Sequence, residues 1–203
     1  MHRPCFLCVI ASCLLTLTVC THALAVPAQT DALSPKIPTP AQVIGHAVGA
    51  DFKLARWETI VRYFDQLHDA SDRVNLRRLD TTTEGNPYLL VEISSAQTLR
   101  QLDRYRALQS KLADPRLIKS KTERASLLRD AKTTVVLTCS LHSSECAGSQ
   151  MAMELAYDLA ARNDARTQEI LNNCIILLVP SANPDGNNKV IDWYEPYINT
   201  PYE

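Results

Sequence analysis

The 203-residue chain lacks an excess of either charge, because 21 lysines and arginines stand against 22 aspartates and glutamates. No basic patch stands out along the sequence, which argues against nucleic acid as a partner. After residue 25 there is no apolar run long enough to cross a membrane. The apolar content of 46% is ordinary for a globular protein and argues against wholesale disorder.

Cysteine is scarce once the N-terminal segment is set aside. Four of the seven cysteines lie within the first 20 residues, which leaves Cys139, Cys146 and Cys174. An odd number argues against a full disulfide framework. Cys139 and Cys174 fall on predicted strands, where cysteine usually packs as a small hydrophobe.

The N-terminal segment has the pattern of a secretory signal peptide. A short basic start precedes an apolar stretch from Cys5 to Cys20, and Ala23-Leu-Ala25 follows as a cleavage site. We expect cleavage after Ala25 and a secreted or periplasmic protein. A lipid anchor at Cys20 is a weaker alternative, because the preceding residues fit a lipidation box poorly. Residues 26–40 contain four prolines among small polar residues, which is typical of an extended linker.

Between residues 41 and 132 the pattern predicts helices around a hairpin. Apolar residues at helical spacing from Trp57 to Leu67 predict a helix with one apolar face. Val74–Asp80 and Pro87–Ser94 predict two antiparallel strands, joined by a turn in which Gly85 takes a positive φ and Glu84 is solvated. Two further helices are predicted over residues 99–112 and 122–130.

A strand–helix–strand pattern follows. The β-branched run Thr133–Thr138 predicts a strand buried on both faces. The helix begins near Ser144, ends near Arg162 and leads to a second buried strand, Cys174–Val179; its predicted buried face comprises Ala147, Met151, Leu155 and Leu159. Parallel strands of such a unit form functional sites beyond their carboxyl ends.

Two candidate metal ligands, His142 and Glu145, lie between the first of these strands and the helix. Zinc takes nitrogen and oxygen ligands at about 2.0–2.2 Å, so an imidazole and a carboxylate three residues apart can share one ion. A plainer interpretation has Glu145 stabilising the helix N-terminus and His142 as an ordinary loop residue. Cys146 is expected to point away from the ion, and His46 and His68 to be surface or capping residues.

After the second strand comes Asn183-Pro-Asp-Gly186, which by itself predicts a turn. His142-Ser-Ser-Glu145 after a strand, then a long helix, a buried strand and this segment resemble the zinc carboxypeptidase (carboxypeptidase A-like) family. The likeness extends through Trp57–Leu67, residues 83–87 and Asp192-Trp-Tyr194, and covers most of residues 38–203.

The resemblance implies an α/β fold with a mixed, mostly parallel sheet flanked by helices, and one Zn²⁺ ion held by His142 and Glu145. The implied substrates are the C-termini of peptides or proteins. The family's third ligand is a later histidine, and its general base is a late glutamate, but no histidine follows Glu145. We therefore expect residues 41–203 to be the N-terminal portion of a catalytic domain, an incomplete fragment that binds zinc weakly and lacks peptidase activity.

Two alternatives remain open. One is a zinc amidohydrolase that deacylates N-acyl amino acids, because such enzymes share the fold and the His-x-x-Glu element. The other is a secreted binding module without catalytic activity. The signal peptide and the Asn-Pro-Asp-Gly segment favour the peptidase.

Overall fold

The computed structural model describes residues 37–202. The predicted signal peptide (residues 1–25) and all but the last four residues of the predicted linker lie outside this range, and both stay predictions. Within the range no helix is long and apolar enough to span a membrane. The helices are α1 (Pro40–Ile44), α2 (Trp57–Ala70), α3 (Ala96–Leu99), α4 (Leu102–Ala113), α5 (Lys121–Asp130), α6 (Cys146–Ala161), α7 (Ala165–Asn173) and α8 (Pro184–Tyr194); the strands are β1 (Val74–Thr81), β2 (Pro87–Ile93), β3 (Thr133–Thr138) and β4 (Cys174–Val179).

The four strands form one mixed sheet in the order β1-β2-β4-β3. Strand β2 is antiparallel to both β1 and β4, whereas β3 and β4 are parallel. The predicted α/β architecture with a mixed sheet flanked by helices is therefore confirmed. Within the described residues one pairing of three is parallel, because β1 and β2 form a hairpin beside the single strand–helix–strand unit.

The hydrophobic core lies between one face of this sheet and helices α2 and α6. Trp57, Ile60, Phe64 and Leu67 of α2 have no exposed surface, as their helical spacing predicted. The hairpin between β1 and β2 is also confirmed, and Gly85 in its turn has a φ of 84°, which glycine adopts without a steric penalty.

Strand β3 is not buried on both faces, and that prediction was wrong. Every second residue from Thr134 onward is exposed, and Val136 retains 63% of its accessible surface. Val135 and Leu137, on the opposite face, pack against the core. The β-branched run does form a strand, but among residues 37–202 that strand pairs only with β4 and lies at an edge of the sheet. Strand β4, which pairs on both sides, is buried over most of its length.

The buried face of α6 differs in part from the prediction. Met151 is 48% exposed and Ala147 is exposed, whereas Met153 and the alanines at positions 152, 156 and 160 are buried. These alanines recur every four residues and let the helix backbone approach its neighbours closely. The prediction was right for Leu159, which is buried, and for Leu155, which packs against the core, and wrong for Ala147 and Met151. It gave more weight to large apolar residues and missed the alanines.

Helix α7 was not predicted from the sequence. The side chain of Asp164 accepts a hydrogen bond from the backbone N–H of Thr167 at 3.0 Å and caps the helix N-terminus. Aspartate is one of the residues preferred at a helix N-cap, so Asp164 is a recognised signal for a helix start. The helix is short and its apolar residues are few, so the pattern resembled a connecting segment.

Asp185, in the first turn of α8, holds the β1–β2 turn in place. Its carboxylate accepts hydrogen bonds from the Thr82 hydroxyl, from Asn86 Nδ2 at 2.7 Å and from the Glu84 backbone N–H at 3.2 Å. The Glu84 side chain pairs with Lys189 of the same helix, so this turn residue is anchored as well as partly solvated. Burial raises the pKa of Asp185, but the hydrogen bonds from Asn86 and Thr82 outweigh it and lower the pKa below its ordinary value of 3.8.

We predict that Asp185→Asn lowers the free energy of unfolding by about 1–2 kcal/mol at pH 7, because an amide cannot accept all three hydrogen bonds to the charged carboxylate. The pKa of Asp185 is lowered by folding, so its contribution is fully present above pH 3.8 and is lost as the pH falls through the lower folded pKa. Denaturant unfolding from pH 7 to pH 2.5 measures both effects.

The control is Asp103→Asn, which removes a carboxylate whose side chain is 96% exposed and which pairs only within its own helix. This variant should unfold like the wild type at every pH. If the free energy of unfolding of Asp185→Asn stayed below that of the wild type by the same amount down to pH 2.5, the proposed role of the charge would be contradicted.

Candidate functional site

The parallel pairing of β3 with β4 brings two loops together at the carboxyl ends of these strands. The backbone N–H of Cys139 donates to the carbonyl of Val179 at 3.0 Å, and the N–H of Ala182 donates to the carbonyl of Cys139 at 2.7 Å. The ladder therefore continues past both strands. The loop that carries His142 lies beside the loop that leads to Asn183, as the sequence predicted.

Ser140 redirects the chain at the end of β3. It is buried and has a φ of 50°, in the left-handed region that costs a residue other than glycine on the order of 1–3 kcal/mol. Its Oγ donates to the carbonyl of Glu145 at 2.7 Å and accepts from Ser149 Oγ at 2.9 Å. A Cβ at position 148 would lie 2.9 Å from Ser140 Oγ, so Gly148 leaves the room this turn needs. The sequence predicted no role for Ser140.

His142 and Glu145 lie in contact with one another. Nδ1 of His142 is 2.8 Å from Oε1 of Glu145, and the His142 backbone N–H donates to Oε2 at 3.1 Å. Both side chains are open to solvent, 74% exposed for His142 and 50% for Glu145. Glu145 is the residue at the N-cap of α6, but its side chain makes no capping hydrogen bond. The carboxylate therefore turns toward the imidazole and away from the helix N–H groups.

The contact with His142 also favours the charged form of Glu145. The side-chain and backbone hydrogen bonds from His142 lower the pKa of Glu145 below its ordinary value of 4.5. A glutamate is ionised at neutral pH even at its ordinary pKa, and the contact with His142 further favours this form, which is the one that binds cations. An exposed nitrogen donor and an ionised oxygen donor in contact fit the ligand types that zinc takes.

The other candidate ligands do not join this pair. Within residues 37–202 no three side chains of His, Cys, Asp or Glu are grouped so that they could hold a metal ion. Cys146 is buried, its Sγ donates to the carbonyl of Ser143 at 3.3 Å, and burial raises its pKa, so it is held as a thiol. His46 and His68 each contact a backbone carbonyl, of Ala47 and Val74 respectively.

The segment Asn183-Pro-Asp-Gly186 was predicted to be a turn, and that prediction was wrong. The segment begins helix α8. Oδ1 of Asn183 accepts from the backbone N–H of Gly186 at 2.9 Å, and Pro184 occupies the first helical turn. Asparagine at the cap followed by proline is a helix start signal. The prediction weighed Pro and Gly as turn residues and missed this signal.

Gly186 is required here for close approach. Nδ2 of Asn183 donates to Oγ of Ser143 at 3.4 Å and joins the two loops. A Cβ at position 186 would lie closer than 3.0 Å to both of these atoms. The absent side chain therefore lets the start of α8 approach the loop that carries His142.

We predict that Gly186→Ala destabilises the protein by about 1–3 kcal/mol, because the added methyl group overpacks this contact. In an open helical position the same substitution would stabilise by about 1 kcal/mol, so the sign of the change is diagnostic. Denaturant unfolding measures it. The double variant Ser143→Ala, Gly186→Ala removes one of the three crowded atoms and should recover part of the loss. A Gly186→Ala single variant that is more stable than the wild type would contradict the packing argument.

Comparison with protein families matches residues 60–195 to Peptidase_M14, zinc carboxypeptidase. Comparison with curated proteins finds no match. Among solved structures, carboxypeptidase A from Helicoverpa armigera is 18% identical with a TM-score of 0.48, over 76% of this chain and 33% of that chain. A metallo-carboxypeptidase from Burkholderia cenocepacia is 15% identical with a TM-score of 0.45, over 66% and 28%.

Thrombin-activatable fibrinolysis inhibitor is 13% identical with a TM-score of 0.47, over 77% of this chain and 30% of that chain. The matched regions thus cover about a third of each solved chain. The family match runs from α2 through α8 and includes strands β3 and β4 and the His142–Glu145 pair. It spans well over half of the sequence, and the chain therefore belongs to the Peptidase_M14 family of zinc carboxypeptidases.

Proposed function

We propose that His142 and Glu145 supply two ligands for one zinc ion in a hydrolase that cleaves C-terminal peptide bonds. The observation that supports this most directly is the 2.8 Å contact between His142 Nδ1 and Glu145 Oε1, in an exposed loop at the carboxyl end of a parallel strand. Family membership provides the reaction class, and the donor set provides the chemistry that zinc requires.

When bound, zinc lowers the pKa of a coordinated water to about 7 and supplies a nucleophile at neutral pH. The protein's own groups position the ligands. The His142 backbone N–H donates to Oε2 of Glu145 at 3.1 Å and orients the carboxylate. The Ser140 hydroxyl fixes the Glu145 backbone at the start of α6, and Asn183 anchors the intervening loop through Ser143.

The proposed activity belongs to the whole protein. A catalytic zinc site takes three protein ligands, and the described residues account for two of them. The proposed substrates are peptides or proteins with a free C-terminus.

We predict that the purified chain binds one zinc ion weakly and that His142→Ala and Glu145→Gln each lower the affinity by roughly tenfold or more. The reason is that even a partner outside the ligand set is worth about 10–100-fold in metal affinity, and these residues are direct ligands. Competition with a chromophoric chelator measures the affinity.

The matched control is His68→Ala, which removes an imidazole that contacts the carbonyl of Val74 and lies in no group of metal ligands. This variant should bind zinc like the wild type. Equal zinc affinity in wild type and His142→Ala would exclude the proposed ligand pair.

The reaction class is tested on the whole protein and its His142→Ala variant, because this chain alone is expected to lack peptidase activity. A peptide with a free C-terminus and an N-acyl amino acid are each supplied with and without zinc. Any hydrolysis should favour the peptide, need zinc and be absent in His142→Ala. Hydrolysis of the N-acyl amino acid alone would assign the protein to the amidohydrolases.

We also propose that the protein is exported through residues 1–25, on the basis of the apolar stretch and the Ala23-Leu-Ala25 site. The mass of the exported protein should correspond to a chain that begins at Val26. Ala25→Arg should leave the precursor uncleaved, whereas Ala32→Arg should be processed normally. Exported protein that begins at Met1 would contradict this proposal.

A further inference from the structure

A cavity lies next to the loop that carries the candidate zinc ligands. It has a volume of about 340 Å³ and separates residues 49–54 from the first turn of α6. Ser144, which lies between His142 and Glu145 in the sequence, is part of its wall. The side chains that give it an apolar character are Phe52, Leu54, Val190 and Tyr194.

The loop formed by residues 49–54 is held against α6 by one side chain. Gln150 is only 2% exposed, and its amide uses both of its ends. Its Oε1 accepts from the backbone N–H of Gly49 at 3.3 Å, and its Nε2 donates to the carbonyl of Lys53 at 3.2 Å. The two contacts fix both ends of the loop beside the cavity.

Phe52 lies between these two anchored ends in an unfavourable conformation. Its φ is 60°, which is rare for a bulky side chain, and the residue is 62% exposed. Glycine or asparagine would meet the same backbone requirement with less strain, and neither would expose an aromatic ring to water. Strained residues cluster at ligand-binding sites, where the conformation serves to present the side chain.

We propose that this cavity, with Phe52 on its open side, is a subsite that binds an uncharged apolar side chain of the peptide substrate. The inference rests on the proposed function, because Ser144 of the loop that carries the candidate zinc ligands is part of the cavity wall. The only charged residues in its wall are Asp51 and Lys53, whose charges cancel. An apolar wall without net charge favours an aliphatic or aromatic side chain over a charged one.

The test compares two peptides that share the same C-terminal residue, N-acetyl-Leu-Leu-Gly and N-acetyl-Ala-Ala-Gly. Each is titrated into the ¹⁵N-labelled protein without zinc, so that the result does not depend on the metal site. Amide signals of residues 49–54 and 144–150 should shift. The leucine peptide should bind roughly tenfold more tightly, since its side chains bury more apolar surface.

In Phe52→Gly the ratio of the affinities for the leucine and alanine peptides should fall to near one. The variant should remain folded, because glycine accepts the positive φ. The matched control is Leu128→Ala, which removes an exposed apolar side chain that is 56% accessible on α5 and lines no part of this cavity. It should keep the wild-type preference.

A leucine preference that persists in Phe52→Gly would overturn the inference, as would equal binding of the two peptides by the wild type or shifts confined to other residues. These results leave the zinc titration of His142→Ala unaffected. Equal zinc affinity in wild type and His142→Ala, together with an intact leucine preference, would instead remove the metal proposal and keep the subsite.

Discussion

The parallel pairing of β3 with β4 is the interaction on which the candidate site depends. The two strands run in register along their whole length and end at the same level of the sheet. The loops that follow them must therefore lie side by side, and the Ser143–Asn183 hydrogen bond joins them. Residues 40 positions apart in sequence meet here because main-chain hydrogen bonds of the ladder fix the strands' relative position.

Helix α6 connects the site to the surrounding structure. Its N-cap residue Glu145 contacts His142, Gly148 makes room for the strained Ser140, and Gln150 holds the loop that carries Phe52. Two residues in left-handed conformations, Ser140 and Phe52, thus lie near the first turns of one helix. Hydrogen bonds from side chains of α6 stabilise both conformations. Ser149 bonds to Ser140 directly, and Gln150 holds the two ends of the loop that carries Phe52.

Local sequence patterns predicted most of the strands and helices but not which neighbours each of them packs against. The bounds of β3 and β4 agree with the apolar runs, and α2 buries the residues that its spacing predicted. The edge position of β3 was missed because a β-branched run indicates an extended backbone but carries no information on how many neighbours it has. The start of α8 at Asn183 was missed although its capping signal is present, because proline and glycine also favour turns.

The sequence by itself determined the order of the four strands and of helices α2, α4, α5 and α6, and it placed an imidazole and a carboxylate close together at positions 142 and 145. Both depend on interactions between residues close in the chain, which spacing and residue type describe. The tertiary structure decided that β4 lies inside the sheet and β3 at its edge, that Gly186 allows close approach, and that Asp185 anchors a distant turn. These outcomes depend on contacts between residues far apart in sequence, which no local pattern specifies.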